Sequence, residues 1–220
     1  TESRLPRHGV LSPCATNGLD GMAFALAERP GHASEIPQKQ GFPVALKFIS
    51  PDIVHKGDAG GVQLNLDTPE AVEKAYGELL ARVKNSCPQA KIDGVLVNKM
   101  APAGQEVIIG MNRDPQFGPI MLFGLGGVLV EIFRDVVLWH PPLSREDALE
   151  MIQQIKGYPV LAGYRGQPPW DIKALADCLL AVAQLAEENP KIVEIDLNPV
   201  FAYPQGALVA DARIIMKEDN

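Results

Sequence analysis

Near the carboxyl end of the chain, Glu194, Asp196 and Asn198 alternate with Val193, Ile195 and Leu197. A period of two puts the three oxygen-bearing side chains on one face of a β-strand. A turn at Pro204-Gln205 lies midway between positions 198 and 211, so a hairpin folded there sets Asn198 nearly opposite Asp211. Carboxylate and amide oxygens are the donors that Mg²⁺ accepts, and that ion usually takes one or two from protein and the rest from water and substrate phosphates. The same alternation describes a solvated face of an amphipathic antiparallel sheet, and the pattern alone leaves both readings open.

Two other groups have chemical potential. Lys47 interrupts the β-prone run Pro43-Val44-Ala45-Leu46-Lys47-Phe48-Ile49, either as a snorkelling lysine on an edge strand or as a charge the interior needs. The following loop, His55-Lys56-Gly57-Asp58-Ala59-Gly60-Gly61, holds glycines that let backbone N–H groups approach a phosphate, and it is equally a tight connection. It is not a Walker sequence. His55 can accept a phosphoryl group on nitrogen or be a surface loop histidine. A second glycine cluster, Gly124, Gly126 and Gly127, suggests close backbone packing but does not explain the acid Glu131 in apolar surroundings.

The elements that must hold these groups are legible in part. Thr68-Pro69 opens a helix carrying Val72, Ala75, Leu79 and Val83 on one side. Strands follow at 94–99, 105–111 and 119–125, joined by Pro- and Gly-containing turns, as in an antiparallel meander. Ser144-Arg145-Glu146-Asp147 has the form of a capping box before a short surface helix, and Asp171 caps a helix to Glu188 with a core stripe from Leu175 to Ala186. Strands at 192–197 and 207–214 close the chain. In residues 1–40 the readable helix is 19–28.

Composition narrows the function classes. The 220 residues are 46% hydrophobic, enough for one large domain or two small lobes, and the net charge of −7 disfavours nucleic acid. The apolar run 120–130 is broken by glycines and is too short to span a membrane, which takes about 20 residues. Three scattered cysteines suggest a reducing cytoplasm, and Thr1–Arg4 carries no leader that would direct export.

Taken together, Phe42-Pro43-Val44-Ala45-Leu46-Lys47, Ser50-Pro51-Asp52-Ile53-Val54-His55-Lys56, Gly60-Gly61-Val62, Gly110-Met111-Asn112-Arg113-Asp114-Pro115-Gln116-Phe117-Gly118-Pro119, Gly124-Leu125-Gly126-Gly127 and Gly163-Tyr164-Arg165-Gly166 resemble the ATP-grasp β subunit of ADP-forming acyl-CoA synthetases. The likeness runs from about Gly41 to Arg213, with the motifs in the same order. It implies an α+β ATP-grasp fold in two lobes, here 1–97 and 98–220, with mostly antiparallel sheets clamping a nucleotide. It implies a reversible reaction in which acyl-CoA, ADP and phosphate give acid, CoA and ATP. A CoA-binding α subunit or fused region would supply the thioester chemistry, making the chain part of a cytoplasmic hetero-oligomer.

By the same resemblance, Lys47 contacts nucleotide phosphates, His55 relays the phosphoryl group and Gly57 belongs to the phosphate loop. Val97, Asn98 and Met100 form the adenine hinge, and Glu106 lies close to the nucleotide. Asn198 and Asp211 hold Mg²⁺, with Asp196 as a neighbouring ligand. The chain departs from the family pattern in having Gly57 and Ala59 for Ser and Val, and Asn98 for Gln or Glu. A rival reading is a catalytically silent, ligand-binding regulatory region of a fused protein acetyltransferase. A third is a self-sufficient ATP-grasp carboxylate–amine ligase.

Overall fold

The alternation of Val44, Leu46 and Phe48 with Ala45, Lys47 and Ile49 builds β3 (Val44–Ile49), whose first set is fully buried. The computed structural model describes residues 2–4, 24–50, 52–53, 60–127 and 135–217. They form two compact units, Met22–Pro102 and Ala103–Asn220, the latter with the strand Glu2–Arg4. No helix among the described residues is long and apolar enough to cross a membrane.

In the unit Met22–Pro102, β2 (Phe24–Ala27), β4 (Val62–Leu66) and β5 (Gly94–Lys99) join β3 in an antiparallel sheet ordered β2-β5-β3-β4. Helices α1 (Pro30–Gln40) and α2 (Pro69–Ser86) cover one face. Val72, Tyr76, Leu79 and Val83 pack there with Val44, Leu46, Phe48, Val95 and Val97. As the sequence predicts, Thr68 caps α2, its Oγ1 accepting from the Ala71 N–H at 3.2 Å. The helix expected at 19–28 is not found over its described part, where Phe24–Ala27 is a strand paired with Val95–Asn98. Cross-strand packing overrides helix propensity in so short an apolar run. The lobe boundary read between Val97 and Asn98 falls inside β5, while the compact unit extends to Pro102.

The other unit is built on a seven-stranded antiparallel sheet. Its strands are β1 (Glu2–Arg4), β6 (Gln105–Asp114), β7 (Gly118–Leu125), β8 (Val136–Trp139), β9 (Ile192–Ala202), β10 (Ala207–Val209) and β11 (Ala212–Lys217). The order is β1-β11-β9-β6-β7-β8, with β10 also on β9. Helices α3 (Arg145–Gln154), α4 (Tyr158–Ala162) and α5 (Ile172–Glu188) complete the unit. The α5 stripe Leu175, Leu179, Val182 and Ala186 is fully buried, and Val107, Ile109, Met121, Phe123 and Leu197 form the buried side of the sheet. Glu2–Arg4 lies at the far edge of this sheet, against β11, so these residues belong with the second unit rather than the first.

Polar anchors fix the helices. The Ser144–Asp147 capping box forms as read, but α3 is not merely a surface helix, since Ala148, Met151 and Ile152 are fully buried. Asp171 accepts from the N–H groups of Ala174 at 3.0 Å and Gly206 at 2.8 Å, tying the start of α5 to the β9–β10 turn. Arg113 donates to the carbonyl oxygens of Ala186 at 2.6 Å and Ile192 at 2.7 Å, closing the other end of α5 onto β6.

Candidate nucleotide and metal site

In the first unit, Lys47 and Asn98 lie on the face of the sheet away from α1 and α2. Lys47 stands opposite Leu96 on β5 and Val62 on β4, so its strand is interior and the edge-strand reading fails. Ala45 pairs with Asn98, which makes Lys47 and Asn98 diagonal neighbours on that face. Asn98 is 6% exposed, and its Oδ1 is buried with no hydrogen-bond partner. A buried acceptor left unmet is costly, and such atoms point to a missing donor. Val97, by contrast, is fully buried in the helix-side core, and the Met100 N–H donates to Pro43 O at 2.8 Å. Of the residues expected at the hinge, Asn98 is therefore the side chain with spare hydrogen-bonding capacity. His55 and Gly57 lie outside the described residues, as does Glu131.

In the second unit, the hairpin register is the one the turn predicts. Tyr203 N–H donates to Gly206 O at 3.1 Å, and Val200 pairs with Val209, Leu197 with Ala212 and Asp196 with Arg213. Between these pairs the Asn198 N–H donates to Asp211 O at 3.2 Å, so the two residues face each other as expected. The expected strand 207–214 is interrupted at Ala210-Asp211, and β9 spends two residues, Asn198 and Pro199, opposite Ile108 alone. A bulge of this kind re-aims a side chain, and Asn198 is exposed while Leu197 is fully buried. One further correction applies upstream. Val193 is the extra residue of a second bulge, and Ile192 takes the buried position assigned to it.

The donor set fits a hard cation. Asp211 Oδ1 accepts from the Ala212 N–H at 3.0 Å, an arrangement that fixes the carboxylate, and Asn198 supplies an amide from the facing strand. One carboxylate and one amide oxygen match the small protein contribution that Mg²⁺ usually takes. No cluster of three or more His, Cys, Asp or Glu side chains suited to a metal occurs among the described residues. Asp196 is differently engaged, with its Oδ2 3.6 Å from an Arg213 guanidinium that also pairs with Glu194.

Glu106 is placed by the second glycine cluster. The Gly126 N–H donates to Glu106 O at 2.8 Å, and a Cβ on Gly127, where φ is +65°, would lie 3.0 Å from Glu106 Oε2. The glycines thus allow the close packing that the sequence suggested, and the Gly126 N–H ties down the Glu106 backbone. Along the same side of the sheet runs an open groove of about 510 Å³, floored by Ile108, Gly110 and Leu122 and edged by Leu138, Glu194 and Asp196. Sequence reasoning missed Arg213, although the hairpin arithmetic that pairs 198 with 211 also pairs 196 with 213.

A paired amide and carboxylate on the sheet of the second unit, and an interior strand lysine in the first, are what a nucleotide-handling class would present. The chain belongs to the ATP-grasp family, whose domain pattern matches residues 3–216. Within it, the chain is similar to the β subunits, and to the corresponding parts of longer single chains, of ADP-forming acyl-CoA ligases. It is 47% identical over 199 residues to the acetate–CoA ligase [ADP-forming] I subunit β of Pyrococcus furiosus, covering 90% of this chain and 86% of that one. It is 45% identical to acetate–CoA ligase [ADP-forming] I of Archaeoglobus fulgidus, covering 92% of this chain but 29% of that longer protein. Among solved structures, the dinucleotide forming acetyl-coenzyme A synthetase 1 of Ca. Korarchaeum cryptofilum, in complex with coenzyme A and Ca-AMPCP, superposes with a TM-score of 0.93 at 46% identity, over 98% of this chain and 93% of that one. The same protein with coenzyme A and Mg-AMPPCP, its phosphohistidine segment pointing towards the nucleotide binding site, gives 0.83 at 44% identity, over 97% of this chain and 93% of that one.

Proposed function

We propose that this chain is the nucleotide-handling part of an ADP-forming acyl-CoA ligase, moving a phosphoryl group between a phosphohistidine and ADP as acyl-CoA, ADP and phosphate become acid, CoA and ATP. The observation that carries the reading is the pairing of Asn198 with Asp211 across the hairpin, on the exposed side of the sheet. The relatives' names supply the reaction class, and both separate β subunits and longer single chains occur among them. A CoA-binding α subunit or fused region would carry the thioester chemistry, in a hetero-oligomer. A cytoplasmic setting agrees with Cys87 and Cys178, neither of which forms a disulfide.

In the phosphoryl step, the P–N bond to the imidazole breaks as a P–O bond forms to a terminal oxygen of ADP, and the ring, protonated on its other nitrogen, leaves neutral. Such a transfer asks the protein for positioning and for charge stabilisation rather than for covalent chemistry of its own. Asn198 and Asp211 would hold Mg²⁺, which when bound neutralises charge on the nucleotide phosphates. Lys47 contributes positive charge to those phosphates. Asn98 Oδ1 accepts from an N–H of the base, beside the hinge residues Val97 and Met100, and Glu106 orients the nucleotide. His55 serves as the relay, with Gly57 in its loop.

Titration calorimetry of ADP into the full chain tests the reading. Binding at one site, weakened about tenfold or more when Mg²⁺ is withheld and again in Lys47→Gln, is expected. Nucleotide binding that ignores both changes would overturn it.

A further inference from the structure

Arg213 sits on β11 directly opposite Asp196 on β9, two residues past Asp211. Its guanidinium pairs with Glu194 and lies 3.6 Å from Asp196 Oδ2, while its Nε is buried without a hydrogen-bond partner. The side chains of Arg213, Glu194 and Asp196 are 35%, 27% and 40% exposed. Ion pairs this wet add little to stability, whereas a buried, unmet N–H subtracts from it. A purely structural role therefore explains the arrangement poorly.

Its place on the sheet suggests a better one. Asn198 follows Asp196 on β9, and Asp211 lies just before β11, two residues ahead of Arg213, with Leu197, Ala212 and Ile214 buried on the other side. Three carboxylates and one amide therefore share one side of two paired strands, with Arg213 among them. A hard cation binds more tightly as more carboxylates reach it, and each one that does takes a position from water or phosphate. We infer that Arg213, anchored by Glu194, is a positioning residue that holds Asp196 out of the cation's coordination shell, keeping positions open for nucleotide phosphates. This inference rests on the reading of Asn198 and Asp211 as the metal pair, and it removes Asp196 from the ligands expected from sequence.

The test uses the full chain and Mn²⁺ alone, with free Mn²⁺ measured by electron paramagnetic resonance in the absence of nucleotide. Arg213→Gln should tighten Mn²⁺ binding about tenfold, because a released carboxylate joins the shell. Arg213→Lys should stay near the parent value, and Arg213→Gln combined with Asp196→Asn should return to it. Asp196→Asn alone should leave the affinity within about twofold of the parent, an arm that decides the matter even if Arg213→Gln does not fold. No tightening in a folded Arg213→Gln chain, tightening that persists in the double variant, or a severalfold loss in Asp196→Asn would overturn the inference. Asp211→Asn separates this failure from that of the underlying reading. If the parent chain binds no Mn²⁺, or Asp211→Asn binds it as the parent does, the metal pair itself is wrong and the role of Arg213 falls with it.

Discussion

Replacing Asp211 with Asn keeps the shape of the side chain and removes its charge, so it separates chemistry from folding. The carboxylate accepts from the Ala212 N–H at 3.0 Å, and an Asn oxygen can accept the same bond. With that bond kept, its own share of any stability loss should stay within about 1 kcal/mol, the net worth of one such hydrogen bond. The loss of metal function should be much larger. Groups that merely orient a metal ligand cost about 10–100-fold when removed, so a ligand itself should cost at least about 100-fold, or ~2.7 kcal/mol. The assay is Mg²⁺-dependent ATP formation from acyl-CoA, ADP and phosphate with the CoA-binding partner present, run as a Mg²⁺ titration beside a urea melt. A normal melt with a Mg²⁺ requirement shifted about 100-fold or turnover abolished is expected. Unchanged turnover at low Mg²⁺ would refute the assignment.

Other expectations follow from the anchors. Arg113→Ala should destabilise the second unit by about 2–3 kcal/mol in urea, because it strips charge-assisted bonds from carbonyl oxygens at the end of α5, and Arg113→Lys should recover only part. The Gly206 and Ala174 N–H groups hold the Asp171 carboxyl below the usual carboxylate range. The stability this contributes is present above the ordinary value of about 3.9 and is lost as pH falls through the depressed folded value. Asp171→Asn should therefore be weaker by about 1 kcal/mol at neutral pH and show a flatter acid limb in urea melts taken at successive pH. Gly157→Ala should cost about 1–3 kcal/mol by the same assay, since its Cβ would clash with the Cδ1 of the buried Leu125.

Where local rules and packing agree, the sequence was enough. The turn at Pro204-Gln205 sets the pairing of Asn198 with Asp211, because register in a hairpin propagates from its turn. Thr68, Ser144 and Asp171 announce helix starts through side-chain chemistry that needs no tertiary context. Features that depend on context were less legible. Phe24–Ala27 reads as helical until β5 is there to pair with it, and α1 has a weak apolar pattern and Pro37 inside it. The bulges at Val193 and at Asn198-Pro199 shift inward positions by one residue, which strict alternation cannot foresee. Lys47 looked equally suited to an edge, and only the strand order made it interior. Arg213 drew no notice as an isolated arginine. Its meaning arises from the carboxylates that the neighbouring strand sets against it.

The account stands on phosphoryl transfer to nucleotide by this chain. The most direct measurement supplies a CoA-binding partner phosphorylated on histidine with ³²P, adds the full chain, ADP and Mg²⁺, and follows the label. It should move into ATP, at a rate that requires both the chain and Mg²⁺ and collapses in Asp211→Asn. Label that remains on the partner, or that is released only as phosphate, would contradict the central claim.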